Sequence, residues 1–480
     1  MSKTVLEQVL SSEVTKTALE LAAKAREHPI GTALGTLGLL SAHALYKSFK
    51  SARAFSHIDG PESPSFMWGH ASQVFDPANG AEVQEGFLKN YGSLCRLKGI
   101  VGEDQIWTAD PRAMHEILVK ECDSFRESEN LLSWIKVVTG ESIITVHGHR
   151  HKLQRKLLNP VFTPKHMRDL VPTFGTIANI AKDIVMNKIQ EAGGASATID
   201  IYKWVNYASL EMIGQAGMGH SFGAMEDKES DYLKAAGHFF PTMFQLWYIR
   251  PFLPQLMKIG PRSFRRFVVN HTPLRAVQEM KEISHVMEDT AVGIYNRKKE
   301  AAASGTLHAQ VAAGKDIMTL LLQQNELMPP DQQMTEEELI AQVNGFVFAG
   351  SDTTSSALAR TLHLLALHPD IQTTLRAEVS EAFKPSRWLE ELPLAVREAK
   401  TPGVYSSMMT FSGGPRACIG FKFSQVEMKI VLTKLINAFK FELGDHQISW
   451  GTDGIIKPHA HHADGTRSPS HTMPMKVSVV

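Results

Sequence analysis

The sequence predicts a mainly α-helical protein with small β-sheets, organised around one large domain. The strongest indication is a helical pattern of about 33 residues between 335 and 368, which corresponds to roughly 50 Å of helix. A second one-sided helix is predicted at 420–441, whereas only short apolar segments at 93–110 resemble strands. No internal repeat and no linker is evident after residue 65, which favours a single α-rich body.

The composition excludes several classes of protein. The chain has 480 residues, of which 43% are hydrophobic and 21% charged, as is ordinary for a globular protein. Lys plus Arg and Asp plus Glu each number 50, and this lack of a basic excess argues against a nucleic-acid partner. The three cysteines, Cys95, Cys122 and Cys418, are too few for a disulfide framework, and we interpret the first two as buried structural thiols.

The N-terminal region predicts a membrane anchor. Residues 29–46 contain no Asp, Glu, Lys or Arg, and 18 such residues just span a bilayer core. The alternative is a helix packed on the globular body. A linker that contains glycine and two prolines follows at 59–66. The predicted organisation is therefore an N-terminal helix and anchor at 1–55, followed by one large domain at 56–480.

The longest helix carries both a start and a stop signal. Thr335 and Glu338 have the spacing of a capping box, and Pro369 follows the last apolar residues. Because proline lacks the backbone N–H and restricts the residue before it, we expect the helix to end at 368.

Inside this helix, the segment AGSDTTSS at 349–356 is unusually poor in helix formers. Gly350 alone costs about 1 kcal/mol relative to alanine. One interpretation is a local kink in which hydroxyl groups bond back to carbonyls. The other is a groove where a small ligand approaches the backbone at Gly350, with the acid Asp352 and the alcohol Thr353 as proton donors.

The segment FSGGPRACIG at 411–420 places Cys418 in a glycine-rich loop directly before a predicted helix. A zinc site would need a second pair of ligands at short spacing, and a phosphatase-type thiol would need its arginine after the cysteine. The pattern favours an axial thiolate ligand to a haem iron, because a helix N-terminus stabilises a thiolate. The alternative is an inert cysteine in a plain loop.

The neighbours of Cys418 suit a flat ring. Gly413, Gly414 and Gly420 permit positive φ angles and a close approach of the backbone. We expect Arg416 to pair with a propionate and Phe411 to cover the thiolate side of the ring.

These residues resemble the signature FxxGxRxCxG of the cytochrome P-450 haem-thiolate monooxygenases at every fixed position. AGSDTT resembles the oxygen-activation motif of that family, with Asp352 and Thr353 in the acid and alcohol places. HKLQRK at 151–156 resembles the WxxxR element, with Arg155 in the place of the propionate-binding arginine and His151 where tryptophan is usual. FKPSRW at 383–388 resembles the PxRW-type element of fungal members.

The resemblance implies a function. Haem held by Cys418 would hydroxylate a small hydrophobic molecule with dioxygen, which binds near Gly350, and with electrons from an NADPH-dependent reductase. Asp352 and Thr353 would deliver protons. The resemblance to microsomal members implies the cytoplasmic face of the endoplasmic reticulum membrane, and the likeness to fungal members suggests secondary metabolism.

The chain departs from the family between 376 and 388. No arginine is preceded three places earlier by glutamate, so the ExxR pair is absent, and only 65 positions separate Thr353 from Cys418. The sequence therefore predicts an internal deletion near 382–383 and an incomplete P-450 fold. An uncompensated charge at Arg387 costs about 3–5 kcal/mol when buried, which predicts weak haem retention. The alternative function is an inactive, membrane-associated family member without stable haem.

Two further clusters stay open to more than one interpretation. One is a basic patch proposed to dock an acidic reductase, or equally a set of solvated lysines; its members are Lys152, Lys156, Lys422, Lys429 and Lys434. The other is HAHH at 459–462, which is either a metal-binding tail or a set of solvated or pocket-lining histidines.

Overall fold

The computed structural model describes residues 55–76, 79–99, 102–226, 230–250, 252–307, 314–380, 401–405 and 408–480. The chain divides into two compact units between Asp110 and Pro111. The N-terminal unit contains helices α1 (Ala71–Val74) and α2 (Gly80–Tyr91) and strands β1 (Leu94–Lys98) and β2 (Asp104–Thr108).

Strands β1 and β2 form an antiparallel pair in which Cys95 lies opposite Trp107. Cys95 is fully buried in a small core with Phe87 and Leu97, because alternate residues of a strand point to the same face. The predicted strands at 93–110 and the structural role of Cys95 are thus confirmed. Cys122, in the second unit, is only half-buried.

The second unit is predominantly helical. Its helices are α3 (Pro111–His115), α4 (Glu129–Thr139), α5 (Gly148–Leu158), α6 (Pro164–Glu191), α7 (Ile201–Met212), α8 (Asp231–Gln245), α9 (Leu253–Leu256), α10 (Arg262–His271), α11 (Arg275–Ala303), α12 (Ile317–Glu326), α13 (Glu336–Leu367), α14 (Pro369–Ser380) and α15 (Phe421–Ala438). Single π-helical segments follow α3 and α7, at Glu116–Lys120 and Ile213–Met218.

The strands of this unit form small antiparallel sheets. They are β3 (Ser196–Asp200), β4 (Gly403–Tyr405), β5 (Met408–Gly413), β6 (Phe439–Leu443), β7 (Ile448–Asp453), β8 (Ile455–Ala460) and β9 (Pro474–Val479). Strand β9 lies between β3 and β6, while β4 pairs with β5 and β7 with β8. The mainly α fold with small sheets is confirmed.

Helix α13 has the predicted bounds. The Thr335 hydroxyl accepts the backbone N–H of Glu338 at 3.3 Å, and the Glu338 carboxylate accepts the Thr335 N–H at 2.9 Å. The helix ends at Leu367, and Pro369 opens α14. Most of α13 is buried, so it crosses the core of the unit.

Helix α15 lies against α13 and α6. Its buried residues include the predicted Val431 and Leu435. The ring of Phe423 meets that of Phe174 on α6 edge-on, with centroids 4.9 Å apart. The hydroxyls of Thr354 on α13 and Ser424 on α15 are 3.1 Å apart. These contacts fix the helix that starts after Cys418 against the helix that carries Thr353.

Some predictions fall outside the described residues. They are the anchor at 29–46, the segment FKPSRW at 383–388 and the predicted deletion near 382–383. Among the residues that the structure describes, no helix combines the length and apolarity needed to cross a membrane.

Candidate functional site

The loop that carries Cys418 is fixed by backbone hydrogen bonds. Strand β5 ends at Gly413, and a single 3-10 turn at Gly414–Arg416 leads toward α15. The Cys418 N–H donates to the Phe411 carbonyl at 2.9 Å, and the Ala417 N–H donates to the Gly414 carbonyl at 3.0 Å. The cysteine is therefore held at a defined place between a strand end and a helix start.

Of the three glycines in this loop, only Gly414 has a positive φ angle. Gly414 has φ +69°, and a Cβ there would lie 2.0 Å from the Leu118 carbonyl oxygen. Gly413 is extended at φ −147° and Gly420 has φ −83°, so the prediction of positive φ is wrong for both. Ser412 instead adopts φ 56°. A Cβ on Gly420 would meet no atom within 4 Å, so this glycine borders open space.

The thiol of Cys418 is exposed, and its protonation reflects opposing influences. Desolvation by the surrounding protein raises its pKa, while the Gly420 N–H and the charge of Arg155 lower it. The expected stabilisation of a thiolate by the helix start is present, but in the bare chain desolvation outweighs it.

Arg155 and His151 lie one turn apart on α5. The guanidinium of Arg155 donates to the Ala417 carbonyl at 2.6 Å, which places this arginine directly beside the cysteine. His151, where the family has tryptophan, is buried, and desolvation together with the charges of Arg416 and Arg155 lowers its pKa to about 4. His151 is therefore neutral at physiological pH and keeps one ring N–H as a donor.

Arg416 links the Cys418 loop by hydrogen bonds to the segments that precede α4 and α5. It donates to the Glu127 carboxylate at 2.7 Å and to the carbonyls of Val146 and Ile144 at 2.8 and 3.2 Å. The predicted propionate partner is thus already engaged by protein groups, because its fork of donors fits three acceptors at once.

Asp352 and Thr353 point to different environments on α13. Thr353 is exposed, and its hydroxyl donates to the Ala349 carbonyl at 2.7 Å, as the kink interpretation expected. Asp352 is buried and forms an ion pair with Lys457 of β8 at 2.7 Å. The acid is held by a cation and is not poised beside the alcohol.

Close packing against a neighbouring segment explains the glycine at position 350. A Cβ there would lie 2.9 Å from Ile213 in the π-helical segment after α7. Ala349, four residues before Thr353, shares the face of the threonine. The role of Gly350 near a ligand remains a prediction, since contact with Ile213 suffices to explain the glycine.

The two halves of the site lie close together. Ser424, which contacts Thr354, is six residues after Cys418 and lies in the first turn of α15, while Thr354 is next to Thr353 on α13. Cys418 and Thr353 are both exposed, and a Cβ on Gly420 would meet no atom within 4 Å. Among the described residues no cluster of three His, Cys, Asp or Glu side chains is suited to a metal ion. The exposed Cys418, with the Gly420 N–H and Arg155 beside it, fits a haem iron that is held by a single thiolate.

The sequence profile of the family named Cytochrome P450 matches residues 59–383 and 380–456. The chain belongs to the cytochrome P450 family. Cytochrome P450 monooxygenase 91 of Postia placenta is 33% identical over 526 aligned positions, which cover 89% of this chain and 95% of that protein. Cytochrome P450 monooxygenase 81 of the same fungus is 32% identical, over 94% of this chain and 98% of its own.

A third relative carries a more specific name. Ganoderic acid synthetase CYP5150L8 of Ganoderma lucidum is 32% identical over 77% of this chain and 85% of that protein. Together these P450 relatives support an enzyme by resemblance, and the family implies haem as cofactor, a hydrophobic substrate, dioxygen and a redox partner.

The match to the P450 profile is interrupted at one place. Its two parts meet at 380–383, where the sequence predicts a deletion. The alignments with the two Postia relatives span 526 and 543 positions, more than the 480 residues of this chain. The relatives therefore contain residues for which this P450 chain has no counterpart.

Sequence reasoning missed Lys457 and Glu427. Lys457 follows two isoleucines in β8, where a buried lysine needs a partner, but that partner lies 105 residues away. Glu427 is completely buried on α15, where its Oε1 accepts the Ser209 hydroxyl at 2.6 Å. Its carboxyl has a pKa raised to about 8 by desolvation.

The predicted lysine patch and the histidine segment at 459–462 make ordinary intramolecular contacts in the structure. Lys152 pairs with Asp123 at 2.8 Å on the surface, and Lys422 lies 5.0 Å from the ring centroid of Phe421. His459 and His461 bond to the carbonyls of Ser468 and Gly465. These contacts explain the side chains without a docked partner or a metal.

Proposed function

We propose that this P450 chain, when it holds haem, hydroxylates a small hydrophobic molecule with dioxygen and electrons from an NADPH-dependent reductase. The observation that carries the proposal is the exposed Cys418 thiol at the start of α15, beside the Gly420 N–H and the Arg155 guanidinium. The likeness to ganoderic acid synthetase supports a fungal secondary metabolite as the substrate class.

In this proposal Cys418 would supply the thiolate that holds the haem iron. A thiolate-ligated haem supplies the activation of dioxygen, because the sulfur donates electron density that favours O–O cleavage. The Gly420 N–H and Arg155 hold negative charge on the sulfur, which offsets the desolvation that raises the thiol pKa. Metal coordination deprotonates a cysteine outright, so the raised pKa does not prevent ligation.

The propionates would lie near Arg155, His151 and Arg416. Arg155 supplies a charged donor, and His151 supplies a neutral ring N–H that needs no counter-ion. Arg416 acts chiefly by holding the loop, since Glu127 and two carbonyls already accept its hydrogen bonds. Phe411 contributes its carbonyl, which fixes the Cys418 backbone.

Thr353 is the group that would deliver a proton, from its Oγ1, during the activation of dioxygen. Its exposure supports this role, and its hydrogen bond to Ala349 keeps the hydroxyl on the face of α13. Asp352 would supply protons to Thr353 only after its ion pair with Lys457 opens. Lys457 is therefore proposed to regulate this step.

The reductase and the location are proposed from the resemblance to microsomal members of the family. We propose docking of the reductase on the lysines near the thiolate side and attachment to the cytoplasmic face of the endoplasmic reticulum. Charge reversal at Lys422 and Lys429 tests the docking surface. An unchanged rate of reduction, with an unchanged dependence on salt, contradicts it.

The second candidate is a catalytically inactive family member without stable haem. The interruption of the P450 profile at 380–383 favours it, as do the alignments that exceed the length of the chain. The residues lost there would remove support from the core, and the stability of a domain is only about 5–15 kcal/mol in total.

A reduced carbon monoxide difference spectrum of the purified chain separates the two candidates. A Soret band at the position typical of thiolate ligation supports the monooxygenase. A preparation that takes up no haem after incubation with haemin supports the inactive member. The Cys122→Ser variant is a matched control, because it removes a thiol outside the proposed ligand loop.

A further inference from the structure

The outer edge of strand β1 is covered by other parts of the N-terminal unit. The Arg96 N–H donates to the Asp59 carbonyl at 2.9 Å. The Lys98 carbonyl accepts the His70 N–H at 2.7 Å, and the Lys98 N–H donates to Nδ1 of His70 at 3.0 Å. Because the N–H and C=O of one residue point to the same side of an antiparallel strand, Arg96 and Lys98 face away from β2.

The outer edge of strand β2 has no such cover within the part of the chain that the structure describes. Ile106 lies opposite Arg96, and Asp104 lies opposite Lys98. The backbone groups of Asp104, Ile106 and Thr108 therefore point away from β1. Among the described residues, none is hydrogen-bonded to these outward N–H and C=O groups, and the sheet has only two strands. Strand β2 is thus an open sheet edge.

Strand β2 lacks the features that protect an open edge from pairing with another chain. Its sequence, DQIWT, contains no proline and no lysine, and its register with β1 contains no bulge. Its one charged side chain, Asp104, is already paired with Lys98 of β1. Ile106, at the centre of the strand, is 38% exposed. An open edge of this kind is a template for a further strand.

The side chains of β2 match a second copy of the same strand. Two β2 strands that pair antiparallel about Ile106 place the two isoleucines opposite each other, and Asp104 of one copy opposite Thr108 of the other. No like charges then face each other directly, and the isoleucines form an apolar contact between the strands. A self-complementary edge is what a dimer with two-fold symmetry requires.

The pairing also suits the small size of the sheet. A two-stranded sheet is marginally stable by itself, whereas three or more strands with an apolar face are stable. Pairing of two β2 strands would give each outward N–H and C=O a partner and would join the two-stranded sheets of both copies into one sheet of four strands.

We propose that this P450 chain self-associates weakly through its N-terminal unit, by antiparallel pairing of β2 with β2 of a second copy. The contact involves one strand of five residues from each copy, which is a small area for a dimer, so it forms only at high protein concentration. It involves neither Cys418 nor haem and is therefore independent of the proposed function.

Amide hydrogen exchange at single-residue resolution tests the pairing on the full chain, at several protein concentrations in one detergent buffer. We expect the amides of Asp104, Ile106 and Thr108 to exchange more slowly as the concentration rises, because they become hydrogen-bond donors in the dimer. The amides of Gln105 and Trp107 face β1 already and should change little. Sedimentation velocity on the same samples measures the dimer itself.

Two substitutions at Ile106 separate the backbone contribution from that of the side chain. Ile106→Pro removes the central outward N–H, at an edge position where proline is tolerated and where no hydrogen bond to β1 is lost. We expect it to abolish both the dimer and the slowing that depends on concentration. Ile106→Thr is the matched control, because it keeps the N–H and a β-branched side chain, and it should still associate.

Two substitutions at Thr108 test the register. Thr108→Asp places a carboxylate opposite Asp104 of the second copy, whereas Thr108→Lys places an ammonium group there. Both variants lose the same hydrogen bonds of the Thr108 hydroxyl, to the Ser93 carbonyl and from the Asp110 N–H, so their difference reflects the dimer. We expect the dissociation constant of Thr108→Asp to exceed that of Thr108→Lys by about threefold or more.

Four results would overturn the proposal or its geometry. Exchange of 104–108 that does not depend on protein concentration overturns it, and so does an Ile106→Pro variant that associates as strongly as the wild type. Equal loss of association in Ile106→Thr and Ile106→Pro overturns backbone pairing in favour of an apolar contact. Equal dissociation constants for the two Thr108 variants overturn the register about Ile106.

Discussion

Replacement of Glu427 by glutamine is expected to remove a large part of the pH dependence of stability. The carboxyl is completely buried on α15, where its Oε1 accepts the Ser209 hydroxyl. Its Oε2 has no hydrogen-bond partner among the residues described. Desolvation raises its pKa from 4.5 to about 8, because the charged form has lost its hydration.

The direction follows from the two protonation states. Below pH 4.5 the carboxyl of Glu427 is protonated in both the folded and the unfolded chain, and the full stability is present. Between 4.5 and about 8 the unfolded chain releases the proton while the folded chain retains it. The free energy of unfolding therefore falls by about 1.4 kcal/mol per pH unit, or about 4 kcal/mol from pH 5 to pH 8.

Urea denaturation, followed by tryptophan fluorescence at several values between pH 5 and pH 8, measures the effect. The wild type and Glu427→Gln should differ little at pH 5, and the variant should be the more stable by about 4 kcal/mol at pH 8. Glu442→Gln, at a partly exposed glutamate, is the control and should leave the pH dependence unchanged. Parallel stability curves for the wild type and Glu427→Gln would refute a protonated, buried carboxyl.

Three further outcomes are expected. Gly414→Ala should destabilise the bare chain by about 1–3 kcal/mol in urea, through a positive φ and the contact with Leu118, whereas Gly420→Ala should leave that stability unchanged. Gly420→Ala should nevertheless weaken haemin binding in a spectral titration, and unchanged affinity counts against a ring beside this glycine. Lys457→Met should lower the free energy of unfolding by about 3–5 kcal/mol, because it leaves Asp352 without its ion pair. Asp352→Asn/Lys457→Met should recover much of this loss. A double variant that is as unstable as Lys457→Met would contradict the prediction.

Local signals in the sequence predicted the elements that build the site. The capping box at Thr335 and the proline at 369 fixed both ends of α13, because both act on neighbouring backbone. The start of α15 after Gly420 followed from the glycine-rich loop and the apolar face that includes Val431 and Leu435. Interactions within about one helical turn were enough for these predictions.

Partners distant in the chain could not be predicted in the same way. Asp352 meets Lys457 only because β8 folds back onto α13, and no periodicity encodes that contact. The acceptors of Arg416 lie more than 250 positions earlier, and the packing of Gly350 against Ile213 depends on how two helices cross. The assignment of a positive φ to each glycine failed because Ser412 takes one of those conformations.

The central claim is that Cys418 is the residue through which this P450 chain holds haem. A haemin titration of the purified chain, followed by its Soret absorbance, tests this most directly when the wild type, Cys122→Ser and Cys418→Ser are compared. We expect saturable uptake with a thiolate-type spectrum in the first two and its loss in Cys418→Ser. Equal uptake with the same spectrum by Cys418→Ser would contradict the claim.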